Sequence, residues 1–207
     1  MVPIMREQIE QLMSQGVAGW CDVDKGNVLY DLVHEYEPSL VVEIGTFGGR
    51  SVAAFALALK SLGKGIVFGI DPWEAAPCME GVNGEANDTY WSGMDWDKIV
   101  REYFDFLRRN DLLKYHAHLR KKDVDCLDYF PDGSIDILHI DSNHSAELAC
   151  QTVDLWLPKL KPKGILVMDD INWEGVKVAV KKIEESNMTL LNSYDVSASC
   201  FSVYQKG

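Results

Sequence analysis

Two short runs in the second half of the chain carry the side chains best suited to chemistry. Asp141-Ser142-Asn143-His144 follows an apolar run at 135–140, and Asp169-Asp170-Ile171-Asn172 follows another at 165–168. Ligands of open α/β sheets bind beyond the carboxyl ends of the strands. If the two runs are neighbouring strands, Asp141, Asp169 and Asp170 converge on one point. Three clustered carboxylates repel one another unless a cation lies among them, and an all-oxygen set suits Mg2+ or a similar hard divalent ion. The plainer reading makes each aspartate the cap of the helix after it. One aspartate per strand end fits that reading; the adjacent pair Asp169-Asp170 opposite Asp141 fits it less well. His144 follows Asp141 near a helix start, within reach of a hydroxyl held on such an ion. A neutral imidazole is a good general base near pH 7, so His144 and Asp141 are the candidate catalytic pair. Without the aspartates, a lone His there would be a capping or surface residue. His116, His118 and His139 fall in apparent strands and read as sheet or core residues.

A second constellation is Glu43-Ile44-Gly45-Thr46-Phe47-Gly48-Gly49-Arg50-Ser51, where a strand hands over to a helix. Glycines there let the backbone turn tightly and approach a ligand, and the helix N-terminus offers free N–H groups. A tight turn with no ligand is the alternative. Asp71 ends the next apolar run, about twenty residues on, where an acidic side chain can accept from both ribose hydroxyls; as a bare turn or helix cap it would have no ligand. A dinucleotide fingerprint requires G-x-G-x-x-G around a pyrophosphate. Here Thr46-Phe47 precede Gly48, and Glu43 precedes the loop. A carboxylate so placed repels a pyrophosphate, and it can accept from the ammonium of a methionine moiety, directly or through water.

The elements that must position these residues follow from periodicity. Residues 4–13 and 26–36 have apolar positions at helical spacing (Ile4, Ile9, Leu12; Val28, Leu29, Leu32, Val33, Tyr36), and Pro38 stops the second helix. Residues 40–44 and 66–70 are β-branched runs that read as buried parallel strands, with a helix at 50–62 between them. The alternation continues with helix 96–110, a strand near 114–119, a helix near 122–129, strand 135–140, helix 145–157, strand 165–168 and helix 174–186. Two last strands lie near 188–194 and 199–204. The link from Asp195 to Ala198 is too short for a parallel crossover, so the last strand is expected to run antiparallel. The whole predicts a seven-stranded, mostly parallel α/β sheet with helices on both faces. Residues 72–95 break the pattern as a long loop rich in Trp and Gly.

The 207 residues suffice for one domain, 1–207, with 1–37 as a helical cap and 38–207 as a Rossmann-like core. Hydrophobic residues at 47% and charged residues at 25% are those of a folded globular chain. No apolar run is long enough to span a membrane, and the N-terminus lacks the apolar core of a signal peptide. Five scattered cysteines without a C-x-x-C pair read as free thiols of a reducing cytoplasm. A net charge of −12 works against a nucleic-acid partner. The expected partner is a small molecule, and the N-terminal helices leave a homo-oligomer possible in principle. Trp73, Trp91 and Trp173, in loops around the mouth, are candidates to stack on a substrate; plain loop packing is their alternative.

Taken together, VVEIGTFGGRS, GIDPW, DGSIDILHIDSNHS and LPKLKPKGILVMDDINW resemble the class I S-adenosylmethionine-dependent methyltransferases. The chain looks closest to methyltransferase family 24, which includes metal-dependent macrolide sugar O-methyltransferases and is related to catechol O-methyltransferase. The resemblance runs from about Gly19 to the end of helix 174–186. It implies that Gly45, Phe47, Gly49 and Ser51, with Thr46 inside the same loop and Glu43 beneath it, hold the methionine part of S-adenosylmethionine. It also implies Asp71 at the ribose and Asp123 beside the adenine, where the family often has Ser. Asp141, Asp169 and Asp170 match the metal ligands, with Mg2+ the expected ion, and His144 matches the catalytic base. The expected reaction moves a methyl group to a hydroxyl of a vicinal diol, from a sugar or a catechol. Two other readings compete: a nicotinamide-dependent oxidoreductase, which leaves the three aspartates without a reason, and a non-catalytic cofactor-binding module, which would be indifferent to chelators.

Overall fold

The computed structural model describes residues 2–196 and 199–207, with side chains described from Arg6 onward. Ser197 and Ala198, in the expected final turn, and the side chain of Ile4 lie outside the described residues. The elements in chain order are α1 (Val2–Met13), α2 (Val23–Tyr36), β1 (Leu40–Ile44), α3 (Arg50–Leu62), β2 (Ile66–Ile70), α4 (Ala75–Cys78), α5 (Glu85–Ser92), α6 (Trp96–Arg109), β3 (His116–Leu119), β4 (Ile135–Ile140), α7 (Ala146–Trp156), β5 (Leu160–Met168), α8 (Glu174–Glu184), β6 (Met188–Val196) and β7 (Ser199–Lys206).

The strands form one sheet of seven in the order β3-β2-β1-β4-β5-β7-β6. β3, β2, β1, β4 and β5 run parallel, and β7 runs antiparallel to both β5 and β6. The expected reversal of the last strand is therefore present. The chain steps outward from β1 to β3 and returns across it to β4, so the strand order reverses between β1 and β4. In such sheets the crevice at that point is where ligands bind.

Local departures have local causes. The expected helix near 122–129 is two short 3-10 turns, Asp123–Asp125 and Leu127–Tyr129. Aspartates there favour turns because their side chains compete for backbone groups. The long loop at 72–95 holds α4 and α5. Neither helix buries a residue, so neither left an apolar stripe in the sequence. β3 starts at His116, after a 3-10 turn, and β5 starts as early as Leu160.

Alternation along the strands divides the core in two. Val41, Ile137 and Val167 face the side covered by α1, α2, α3 and α6, while Val42, Leu138 and Leu166 face the side of α7 and α8. The register pairs Glu43 with His139 and His139 with Val167. Side chains two apart share a face, so Glu43, His139 and the next position in phase, Asp169, belong to the α2 side.

On that side Tyr103 of α6 hydrogen-bonds the ring Nε2 of buried His116. Burial, with the neighbouring His118 ring adding to it, pushes the His116 imidazole down to about 4. A folded-state pKa below the unfolded value near 6.5 gives stability that is present above pH 6.5. It is lost as pH falls towards 4, because the unfolded chain then binds a proton that the native chain refuses. His116→Gln keeps a partner for Tyr103 without titrating. Between pH 6.5 and 5 the unfolding free energy from urea titration should fall less in this variant than in the parent, by about 1 kcal/mol per pH unit. Equal acid sensitivity in the two proteins would contradict this account.

Candidate active site

A cavity of about 590 Å³ opens at the switch point, beyond the carboxyl ends of β1, β2, β4 and β5. The loop after β1 forms one wall. Gly45 has φ +86°, and a Cβ on it would lie 1.7 Å from the carbonyl oxygen of Asp141. The two strand ends therefore touch through a backbone that no side chain allows. Asp71, at the end of β2, accepts from the backbone N–H of Thr46 (3.0 Å) and Phe47 (2.9 Å) through Oδ2 and from Trp73 N–H (2.6 Å) through Oδ1. Its carboxylate thus shapes the glycine loop. Burial raises its pKa against the pull of these three N–H groups. Of roughly four lone-pair positions on a carboxylate, three are used, which leaves one for a ligand hydroxyl. Asp123 lines the far end of the cavity and accepts from Thr152 Oγ1 at 3.0 Å.

Glu43 does not reach the cavity. It is 0% exposed beneath the loop, accepting from Ser51 Oγ at 2.8 Å, with His139 Nδ1 3.0 Å from its other oxygen. A direct bond to a ligand ammonium, one of the two routes expected for it, is closed by that burial. Burial raises Glu43 to about 8 despite Ser51 and Lys25, and it lowers His139 to about 3, with Lys25 adding to the shift. The direction of the Glu43–His139 hydrogen bond follows the ring tautomer, and the ring's second nitrogen is Nε2. That nitrogen has no hydrogen-bond partner and lies 3.6 Å from Asp169 Oδ2.

The three expected metal-binding aspartates all line the cavity floor, but they do not form one cage. Asp169, 5% exposed, turns to the α2 side. Its Oδ2 meets the ammonium of Lys25, and its Oδ1 accepts from Asp170 N–H at 3.1 Å. Asp170, in the left-handed region at φ +53°, turns the other way, and its Oδ2 lies 2.8 Å from His144 Nε2. Asp141 stands between them, 3.8 Å from the Lys25 ammonium, its pKa raised by burial against Lys25. Burial lowers the His144 imidazole, but the hydrogen bond and charge of Asp170, with Asp141 behind, outweigh it and leave the pKa raised. The His144 ring packs on Trp173 at 4.6 Å between centroids.

The donor set fits a hard divalent cation. Asp141, His144 and Asp170 each offer one ligand atom within 4.8 Å of the others, as do His139, Asp141 and Asp169. Three carboxylates against one lysine also leave net negative charge for an ion to balance.

Aromatic rings close the mouth. Trp20 stacks on Phe47 (5.6 Å, 17°) and Trp91 on Trp96 (5.7 Å, 19°), with Tyr90 against both Trp20 and Trp91. Trp91 and Trp173 line the cavity. Trp73 does not. It is 1% exposed, with its backbone at φ +48°, its ring beside Tyr103, and its indole N–H donated to Phe47 O at 2.8 Å. It supports the loop from behind and, buried there, does not reach a substrate in the cavity. Sequence reasoning missed Lys25 and Tyr90; Trp20, 55% exposed, also lines the mouth. Lys25 had a signal: it precedes Leu29 by four positions and Leu32 by seven, on the buried stripe of α2.

A glycine loop beside a carboxylate at the reversal of an open, mostly parallel sheet defines a nucleotide-type α/β domain. Residues 42–171 match the family model of a methyltransferase domain, methyltransferase family 24, and the chain belongs to that family. It is 26% identical over 140 residues to an uncharacterised protein, y4gI, of Sinorhizobium fredii, covering 67% of this chain and 14% of that protein's length. Among solved structures, it resembles the O-methyltransferase TomG from Streptomyces achromogenes, involved in tomaymycin synthesis and solved with S-adenosylmethionine. There the identity is 16%, the coverage 98% of this chain and 89% of that one, and the TM-score 0.65. It also resembles an O-methyltransferase from Bacillus cereus in complex with S-adenosylhomocysteine (16% identity, 100% and 93% coverage, TM-score 0.64). A methyltransferase from Geobacter sulfurreducens has the same fold (17%, 98% and 87%, TM-score 0.62). Among the described residues no helix is long and apolar enough to cross a membrane.

Proposed function

We propose that this protein transfers a methyl group from S-adenosylmethionine to a hydroxyl of a small molecule, assisted by a divalent cation. The observation that carries this reading is that the His144–Asp170 pair and Asp141 line the same cavity as the glycine loop. S-adenosylmethionine would supply an electrophilic methyl group on a sulfonium. Gly45 to Gly49 would cradle its methionine part, Asp71 has one acceptor position left for a ribose hydroxyl, and Asp123 stands where the adenine would lie. Asp141 and Asp170, with Asp169 behind, would hold the cation, which would lower the pKa of the acceptor hydroxyl.

His144 takes the proton. Its Nε2 is committed to Asp170, so Nδ1 is the nitrogen left to accept, and Asp170 stabilises the imidazolium that results. Trp173 fixes the ring plane. The aromatic mouth keeps water out and supports a planar or sugar-like acceptor, and a vicinal diol would give the cation two oxygens. A cytoplasmic location and action on a free metabolite belong to the same proposal.

The test is calorimetric and kinetic. The protein should bind S-adenosylhomocysteine and not NAD. It should methylate catechol or sugar diols with Mg2+ present, and EDTA should abolish turnover reversibly. Binding of NAD without S-adenosylhomocysteine would overturn the reading, and turnover untouched by EDTA would remove the cation from it.

A further inference from the structure

Lys25 is the feature the proposed chemistry does not absorb. Its α2 helix begins at the cap Asp22, whose side chain accepts from Lys25 N–H at 2.9 Å, so the start of the helix is fixed beside the strand tips. The side chain is 2% exposed and runs along the buried stripe of α2 to the acidic floor. There the ammonium pairs with Asp169, lies 3.8 Å from Asp141, and sits 5.7 Å from the centre of the Phe201 ring on β7. The buried Nε2 of His139 lies 3.6 Å from the same oxygen without a hydrogen-bond partner of its own. Asp169 is thus held by the Lys25 ammonium at Oδ2 and by Asp170 N–H at Oδ1.

We infer that Lys25 is the built-in counter-ion of Asp169 and a positioning residue for the cation site. It supplies one fixed positive charge, holds Asp169 on the α2 side of the floor, and confines a divalent ion to the Asp141–Asp170 edge of the cavity. Three bare carboxylates would bind divalent ions tightly and without regard to the acceptor. With one of them already neutralised, the ion meets a like charge a few ångströms away and is held more weakly. An acceptor that adds its own oxygens then contributes a larger part of the ion's shell. This inference rests on the methyl-transfer reading for its purpose, but its geometry and its test do not use the methyl donor.

The experiment is a Mn2+ titration, followed by electron paramagnetic resonance, of the parent protein and the Lys25→Met variant, with no nucleoside and no acceptor. Lys25→Met is expected to bind Mn2+ about tenfold more tightly, or more. If losing the lysine unfolds the chain, Asp169→Asn and the double variant Lys25→Met/Asp169→Asn carry the same comparison, and the double variant should bind the more tightly by a similar factor. Equal or weaker Mn2+ binding on removal of Lys25, in either comparison, overturns the inference, as does absence of Mn2+ binding in all four proteins. A protein that never transfers a methyl group but tightens on Mn2+ as described would sink the proposed function and leave the role of Lys25 standing.

Discussion

Replacing His144 by alanine is expected to lower methyl transfer by about two to four orders of magnitude, the usual span for loss of a positioned general base. The reason is geometric. The ring is held by Asp170 at 2.8 Å and packs at a tilt on Trp173, which together orient its free nitrogen. The loss should fall on kcat, with S-adenosylhomocysteine affinity nearly unchanged, because the glycine loop is held by Asp71 and not by His144. A rapid-quench assay with labelled donor, paired with calorimetry, separates the two. A His144→Ala protein that turns over at the parent rate would remove His144 from the chemistry.

Gly45→Ala should damage the fold severely. The new Cβ would sit 1.7 Å from Asp141 O and 2.6 Å from its carbonyl carbon, at a φ of +86°. Neither backbone can give way cheaply. Gly45 N–H donates to Ile70 O and Asp141 N–H to Ile44 O, both at 2.9 Å, so movement breaks the parallel ladder. Strain and overpacking each contribute about 1–3 kcal/mol, and together they should cost about 3 kcal/mol or more. Gly63→Ala is the control. Its φ is similar at +71°, but nothing lies within 4 Å of the added carbon, so it carries the backbone strain alone. Urea midpoints for the two variants should therefore differ widely, and S-adenosylhomocysteine binding should fail only in Gly45→Ala. Equal destabilisation of the two would show that strain, not the contact with Asp141, decides.

Much of this architecture was legible in the residues because its causes are local. β-branched runs ending in glycine or aspartate gave the strands, and the short final link demanded the antiparallel β7. The glycine loop, Asp71 and the two acidic strand ends were found for the same reason: their positions follow from where strands stop. What escaped depends on contacts between distant segments. Trp73 looked like a mouth residue, yet Asp71 and Phe47 O bind its two N–H groups and turn it inward. The split between Asp169 and Asp170 was within reach, since neighbouring residues on a strand face opposite ways and two adjacent carboxylates cannot both follow one face. The identity of the group that meets Asp169 was not, because it comes from a helix 144 residues earlier in the chain.

The stretch shared with the family, 42–171, is narrower than the pocket. Lys25 and Trp20 come from before it, and Ser199, which donates to the backbone oxygen of Trp20 at 3.3 Å, comes from after it. A chimera spliced at those limits would inherit the cradle and the acidic strand tips from one parent, and the bolt beneath them and the hinge of the entrance from another. Exchanging acceptor preference between relatives would then demand that both flanks travel with the middle.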